Sequence, residues 1–280
     1  MNRPDTLSGI VALSSAAIWG VSDFLGGFVS RDRDQYQVLA MTSISGLVCL
    51  VIAMLIRGEG WPGLTSIGWS AVAGICGAVG IAALYRGLAL AEAALVAPTS
   101  AVIGVILPVV VGTILHGGLV PEKWIGISLG IAGIWLVSSG SRIRQGSNGL
   151  GLAIFAGLNF GGFFTLLAQV QPGLVFSPLV IAKTCALLFA LLMIFGLHRS
   201  RPLISSIHPL AILAGILDAG GNVCYLLAAH LTRLEVAAVL SSMYPATTVV
   251  LAALITKQRG STAQKLGVGL CLLAIALIVA

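Results

Sequence analysis

Long apolar runs alternate with short clusters of charged and turn-forming residues along the whole chain. Each run is close to the length of about 20 residues that an α-helix needs to cross the hydrocarbon core of a bilayer. Reading the clusters as boundaries predicts ten membrane spans. They cover residues 7–29, 36–56, 66–91, 94–115, 124–141, 149–170, 175–197, 208–230, 235–256 and 264–280.

Helices are the expected element within these spans, because lipid offers no partner to unpaired backbone N–H and C=O groups. The strands of a membrane barrel alternate lipid-facing apolar residues with lumen-facing polar ones. The runs here are too long and too uniformly apolar for that alternation. The pattern therefore predicts an all-α integral membrane protein with ten transmembrane helices.

The second half of the chain resembles the first. Residues 85–97 align with residues 225–237 at an offset of 140, and Pro108 aligns with Pro245 at an offset of 137. Five spans per half is an odd number, so the second copy enters the membrane from the opposite side. We therefore predict two inverted five-helix repeats, residues 1–141 and 149–280. This arrangement is typical of alternating access around a site at the bilayer midplane.

Composition agrees with a membrane protein. The 280 residues are 58% hydrophobic and 9% charged, and the mean hydropathy is +1.06, whereas about a quarter of the residues in a soluble domain are charged. The net charge of +6 is spread over the connections between apolar runs. Contact with the membrane surface explains this spread better than a nucleic-acid partner does.

The basic residues also bear on orientation. An even number of spans places both termini on one side. With cytoplasmic termini, four Lys and Arg residues fall in cytoplasmic connections and nine on the opposite side. The positive-inside rule therefore favours both termini outside.

Many of the 35 glycines lie inside the predicted spans, where they allow close approach of neighbouring helices in lipid. Gly126, Gly130, Gly267 and Gly269 are predicted to mark packing faces of the fifth and tenth spans. Packing within one chain is the first interpretation, and a homodimer through these spans is the alternative. The five cysteines form no Cys-x-x-Cys pair and are interpreted as structural thiols.

Ionisable residues inside a membrane span are costly and by default mark a candidate site. Asp218 lies near the middle of the eighth span, and Asn222 and Tyr225 follow it on the same helix face. This acid, amide and phenol could bind a polar solute and exchange a proton. The alternative is that Asp218 pairs with Lys183 and ties two helices together.

Lys183 is the one charged residue in the seventh apolar run, and pairing or snorkelling to the surface is favoured over solute binding. Asp23 follows Trp19 by one helical turn and is a further cavity candidate. Arg86 and Glu92, near the end of the third span, are interpreted as interface anchors or as partners of each other.

Several aromatic and polar residues complete the candidate set, although Trp and Tyr near span ends are often interface anchors. Pro108 and Pro245 lie inside the fourth and ninth spans at matching repeat positions and are candidate hinges. The remaining candidates for binding are Trp19, Tyr85, Asn159, Ser241 and Tyr244.

Sequence signatures of several enzyme classes are missing. The chain has no His-Glu-x-x-His, no Walker-type glycine loop and no Gly-x-Ser-x-Gly elbow, and its four histidines lack metal-ligand spacing. Neither a metal nor an organic cofactor is expected. These absences argue against an ATP-driven pump and a metal-dependent membrane hydrolase.

The order and spacing of short motifs resemble those of EamA-like permeases in the drug/metabolite transporter superfamily. The motifs are Trp19-Gly20, residues 85–91 followed by Val96-Ala97-Pro98, residues 107–109, Glu122 before the glycine-rich residues 126–134, and residues 241–245. The resemblance covers essentially the whole chain. It implies two inverted five-helix repeats, a central cavity formed by the first four helices of each half, and cytoplasmic termini.

The predicted function is therefore secondary-active or facilitative transport of small metabolites across the inner or plasma membrane. The resemblance implies amino acids or similar polar solutes, with export and proton coupling as expectations. Efflux of drug-like organic cations is an alternative. A membrane-embedded enzyme acting on a lipid-linked substrate, and a channel, are less favoured.

Overall fold

The computed structural model describes residues 3–116, 125, 128–130, 132–133, 135–136, 148–196, 208–257 and 261–279. Within these residues the chain forms ten helices. They are α1 (Arg3–Val29), α2 (Gln35–Arg57), α3 (Leu64–Leu90), α4 (Ala93–His116), α5 (Gly149–Leu167), α6 (Phe176–Gly196), α7 (Pro209–Leu231), α8 (Leu234–Ser241), α9 (Pro245–Ile255) and α10 (Thr262–Val279).

The predicted all-α membrane class is confirmed, but the described residues do not confirm the count of ten spans. Within the described residues, eight segments are long and apolar enough to cross a bilayer, with Leu234–Ile255 counted as one, and Thr262–Ala274 is a shorter apolar segment. Described residues between 125 and 136 are helical. The rest of the fifth predicted span lies outside the described residues.

Local sequence signals set several helix ends. The Asp34 side chain accepts a hydrogen bond of 3.0 Å from the backbone N–H of Tyr36 and caps the start of α2. Gly58 ends α2 with φ of 61°, a left-handed conformation that glycine adopts without steric cost. His208 caps α7, and Pro209 follows at the first helical position.

The ninth predicted span is interrupted. It was expected to be one helix with a kink at Pro245, but residues 242–244 form a turn between α8 and α9. Pro245 has no N–H to continue the hydrogen-bond ladder of α8, and it instead begins α9. Pro108, at the matching position of the first half, lies inside a helix that continues through it.

The principal contacts between the first three helices of one half and the first three of the other are symmetric. In chain order, α1, α2 and α3 of the first half correspond to α5, α6 and α7 of the second. The contact of α1 with α7 therefore has its counterpart in the contact of α5 with α3. In the same way, the contact of α3 with α6 has its counterpart in the contact of α7 with α2. The contact of α2 with α6 joins two corresponding helices and is its own counterpart. This pattern is the one expected of two copies related by an approximate two-fold axis.

Polar bonds and small residues fix the helices around the centre. Ser15 and Ser22 of α1 each donate a 2.8 Å hydrogen bond to a backbone carbonyl of α7, at Gly221 and Ala214. A methyl group added at Gly74 of α3 would lie 2.6 Å from the Cα of Ala182 in α6. The predicted use of span glycines for close packing is therefore observed at Gly74.

Gly130 and Gly133 of the fifth span pack against other helices of the chain, whereas a methyl group added at Gly269 of the tenth span would meet no atom within 4 Å. A methyl group added at Gly133 would lie 2.8 Å from Cys271 Sγ, and one added at Gly130 would lie 3.5 Å from Ala274. Both neighbours belong to α10. Gly126 lies outside the described residues. The five cysteines carry free thiols.

Candidate functional site

A cavity of about 620 Å³, its opening included, lies between the helices of both halves. Its lining comes from α1, α3, α5, α6 and α7 and from the turn before α9. Apolar and aromatic side chains form most of the wall. The polar members are Asp23, Lys183, Asp218, Asn222 and the hydroxyl-bearing Tyr244.

A buried ion pair crosses from α6 to α7 at this wall. Lys183 Nζ donates to Asp218 Oδ2, and both side chains are shielded from solvent. Asn222 Nδ2 donates to the same oxygen at 2.9 Å. Asp218 and Lys183 therefore join α6 to α7, which is the alternative to solute binding given in the sequence analysis. Both side chains also face the cavity.

Asp23 is the second carboxylate of the cavity. Asp23 is 7% exposed and is therefore buried within α1. Asp23 is close enough to Asp218 for the two carboxylates to repel each other. Among the described residues it has neither a hydrogen bond nor an ion pair.

Aromatic rings surround these charges. The Trp19 ring centroid lies 6.4 Å from that of Phe163 and 5.7 Å from that of Phe164. Phe160 meets Tyr244 edge to face at 6.5 Å. Trp19 and Tyr244 are buried, so the structure places both in the centre of the helix bundle rather than at a membrane interface.

Tyr225 and Tyr85 are buried beside the cavity but do not line it. Tyr225 Oη donates a 2.7 Å hydrogen bond to the Phe164 carbonyl, and its ring lies 4.9 Å from the Phe164 ring. Tyr85 packs its ring against Gly26, and its hydroxyl hydrogen-bonds with Ser22 and Thr42. Both tyrosines hold the walls in place.

Other candidates lie outside the cavity. Asn159 donates a 2.9 Å bond to the Phe155 carbonyl of its own helix. Ser241 Oγ reaches the Ala12 carbonyl at 3.4 Å. Glu92 accepts from Gln264 of α10, and Arg86 is exposed, so the structure does not show the Arg86–Glu92 pair that was one interpretation.

The turn before α9 is connected to the first half by side chains. The hydroxyl oxygens of Tyr244 and Ser100 of α4 are 2.6 Å apart. Thr248 Oγ1, one turn into α9, donates a 3.1 Å bond to the Gly20 carbonyl of α1. The interrupted span is therefore linked to the helices that carry Trp19 and Asp23.

Sequence reasoning missed Glu59, which lies in the connection between α2 and α3. Its carboxylate accepts backbone N–H bonds from Val175, Phe176 and Ser177 at 2.7 to 3.2 Å, and also the Ser177 hydroxyl at 2.8 Å. Partial burial acts to raise the pKa of Glu59, but these hydrogen bonds outweigh it and lower the pKa. Glu59 thus caps α6 from another part of the chain.

Phe163 and Phe164 were also missed as wall residues. The aromatic cluster of residues 160–164 was the signal that could have found them. Glu59 had no comparable signal, because a single acid in a polar connection is ordinary. Within the described residues, no group of His, Cys, Asp and Glu has the arrangement to hold a metal ion.

Comparison with known proteins gives three results. The model of the EamA-like transporter family matches residues 7–139 and again residues 147–280, and a search of curated proteins finds no match. A solved structure titled "Crystal structure of protein" matches with 18% identity, over 97% of this chain and 96% of its own, at a TM-score of 0.64. At that identity the likeness shows the fold alone.

The resemblance drawn from the sequence motifs is thereby confirmed. The two family matches follow one another and together cover nearly the whole chain. The chain belongs to the EamA-like transporter family of the drug/metabolite transporter superfamily, and it is a multi-pass membrane transporter.

Proposed function

We propose that this protein carries small polar metabolites across the cell membrane by alternating access around the central cavity. The observation that supports this most is the buried Lys183–Asp218 pair on the wall of a cavity shared by both halves. Buried charges of this kind mark solute and proton pathways in membrane proteins. Amino acids and similar solutes are the first class to test, with export as the expected direction.

The two repeats, residues 1–141 and 149–280, would exchange conformations so that the cavity opens to each side in turn. Asp23, Asn222 and the aromatic wall would contact the solute. Tyr225 and Tyr85 would not contact the solute but would position the helices that line the cavity. Pro245, at the turn before α9, is the better placed of the two hinge candidates.

Proton coupling is the finer part of the proposal. Opening of the cavity would wet the ion pair and allow Asp218 to exchange a proton. The titratable groups facing it are Lys183 of α6 and Asp23 of α1, with Tyr85 nearby. Asp218→Asn removes the exchangeable proton while keeping the size of the side chain.

The test is flux into proteoliposomes of the purified protein, with pooled amino acids, sugars, nucleosides and organic cations outside and a pH dye inside. We expect saturable uptake with proton movement, and loss of proton movement in Asp218→Asn. Asp32→Asn, an exposed acid outside the cavity, is the matched control. Oppositely oriented vesicles give the direction.

Three outcomes would count against parts of the proposal. Transport by Asp218→Asn that is unchanged between pH 5 and pH 8 would overturn proton coupling and leave a facilitator. Ohmic current without saturation would indicate a channel. No flux for any pool would overturn transport, and a chemically altered solute would indicate an enzyme.

A further inference from the structure

Two connections from different halves of the chain meet at one end of the helix bundle. The carboxylate of Glu59, between α2 and α3, accepts hydrogen bonds from the backbone N–H groups of residues 175–177 at the start of α6. We call this the Glu59 contact. A second bond lies beside it, because the N–H of Gln171, between α5 and α6, donates to Ser66 Oγ of α3 at 3.1 Å. Both bonds join the first half to the second.

Buried apolar side chains separate the Glu59 contact from the cavity. Leu167 follows the lining residue Phe164 by about one turn towards the end of α5, and it is fully buried. α7 ends at the same place, because His230 in its last turn hydrogen-bonds with the backbone of Val170. Leu226, one turn before His230, is also fully buried and belongs to the same apolar cluster as Leu167. The cavity is therefore closed on the side of the Glu59 contact.

The Glu59 contact is also close to the wall of the cavity along α6. Ser177 and Leu179 both lie in the first turn of this helix, and Leu179 lines the cavity. Two residues advance about 3 Å along a helix axis. Lys183, one turn later, carries the buried ion pair. Movement of the start of α6 away from Glu59 would therefore displace a wall of the cavity directly.

The chemistry of the Glu59 contact suits a closure that can open again. Glu59 is half-buried at the end of the bundle, and its partners include the first N–H groups of a helix, which water can satisfy when the contact opens. Hydrogen bonds to an ionised carboxylate hold the closed state more firmly than neutral ones do. Alternating access requires each end of a carrier to close and to open in turn.

We propose that Glu59 is a gating residue, whose contact with the start of α6 closes the central cavity towards the membrane face of the α2–α3 and α5–α6 connections. The contact breaks when solute enters or leaves at that face. Glu59 does not touch the solute, so it is a positioning residue. This inference rests on the proposed function, because it assumes that the cavity is the transport site.

The first experiment measures access to the cavity from one face of the membrane. Leu179→Cys is made in a background whose five native cysteines are replaced by alanine, and membrane vesicles of each orientation are treated with a sulfonated, membrane-impermeant maleimide. We expect Glu59→Gln to raise the rate of modification about 5-fold, the effect of losing a capping charge. The rise is expected only in the orientation that exposes Glu59.

Two further variants control this measurement. Gly60→Cys identifies the orientation, because Gly60 is exposed in the same connection as Glu59. Asp32→Asn removes an exposed acid between α1 and α2 and is expected to leave the rate unchanged. Equal rates with and without Glu59→Gln would overturn the gate. A rise in both orientations would overturn it as well, because it would show a general loosening of the fold.

The second experiment locks the contact and does not depend on the folding of Glu59→Gln. Glu59→Cys and Ser177→Cys are introduced together in the same background and joined by a short bifunctional methanethiosulfonate in proteoliposomes. We expect flux of the pooled amino acids, sugars, nucleosides and organic cations to fall about 10-fold or more, since a closed gate stops the cycle, and to return on reduction. Glu59→Cys alone, treated in the same way, is the control. A residue that only capped a helix would leave flux unchanged, and that result would overturn the gate.

The two experiments together separate this inference from the proposed function. Saturable flux that continues in the fully linked protein would overturn the gate and leave transport standing. Access to Leu179→Cys that depends on Glu59, together with no flux of any pool in the unlinked protein, would support the gate and overturn transport.

Discussion

At the scale of single residues, the cavity holds two carboxylates in different circumstances. Asp218 has an ammonium and an amide as partners, whereas Asp23 has neither among the described residues. Removing a charge from water costs several kcal/mol, and a partner compensates only part of this cost. Loss of one partner should therefore harm the fold more than loss of both.

Lys183→Met is expected to lower the free energy of unfolding by about 3 to 5 kcal/mol, because it leaves Asp218 buried and unpaired. The double variant Lys183→Met, Asp218→Asn should recover most of that loss. Denaturant unfolding in detergent, followed by tryptophan fluorescence, measures both. Lys265→Met, at an exposed position, is the control, and a double variant no more stable than the single one contradicts the argument.

Helix periodicity placed some residues of the site and not others. Asp218 and Asn222 share a face and are joined by a hydrogen bond, as a spacing of one turn implies. Tyr225, although on a similar face, bonds to the Phe164 carbonyl. Periodicity shows which residues share a face of one helix. The hydrogen-bond partner of each polar side chain also depends on the neighbouring helix, which periodicity does not reveal.

At the scale of elements, the start of α6 depends on a residue far away in the sequence. The Glu59 carboxylate accepts hydrogen bonds from the N–H of Val175, just before α6, and from the N–H groups of Phe176 and Ser177 in its first turn. These first N–H groups of α6 have no partner within the helix. A negative charge at this end is also favoured by the helix dipole. The connection between α2 and α3 is therefore fastened to the beginning of α6.

Glu59→Gln should lower stability at pH 7 by about 1 kcal/mol, because the capping charge is lost. The pKa of Glu59 is lower in the folded protein than its ordinary value of 4.5. Its stabilising contribution is thus fully present above pH 4.5 and is lost as the pH falls through the lower, folded pKa. Unfolding curves at several pH values should converge for the two proteins in acid, and a constant difference would contradict the ionised cap.

The contact of α3 with α6 depends on a missing side chain. Gly74→Ala is expected to destabilise the protein by about 1 to 3 kcal/mol, since the new methyl group would overlap the backbone of Ala182. Gly68→Ala, on the same helix, would meet no atom within 4 Å and should be neutral or stabilising. Thermal unfolding of the two variants compares them, and equal effects would show that the close approach is not needed.

At the scale of the whole molecule, sequence reasoning reached the class, the family and most helix bounds. Apolar runs are long and the groups that separate them are distinct, so hydropathy alone finds the elements. It could not find which helices are neighbours. Trp19 and Asp23 meet Asp218 across some 200 residues of chain, and no local pattern encodes that contact. The turn at residues 242–244 was missed for a similar reason, because apolar residues continue through it.

The interruption between α8 and α9 has no equivalent in α4, which is continuous through Pro108. In a carrier whose two repeats exchange conformations, the inward-open and outward-open states have equal free energy only if the repeats are identical. The first half has the continuous helix α4 where the second half is interrupted, so under the proposed alternating access the two end states would differ in free energy. The empty carrier would then have a preferred resting side, and that preference would oppose movement of the solute in one direction and assist it in the other.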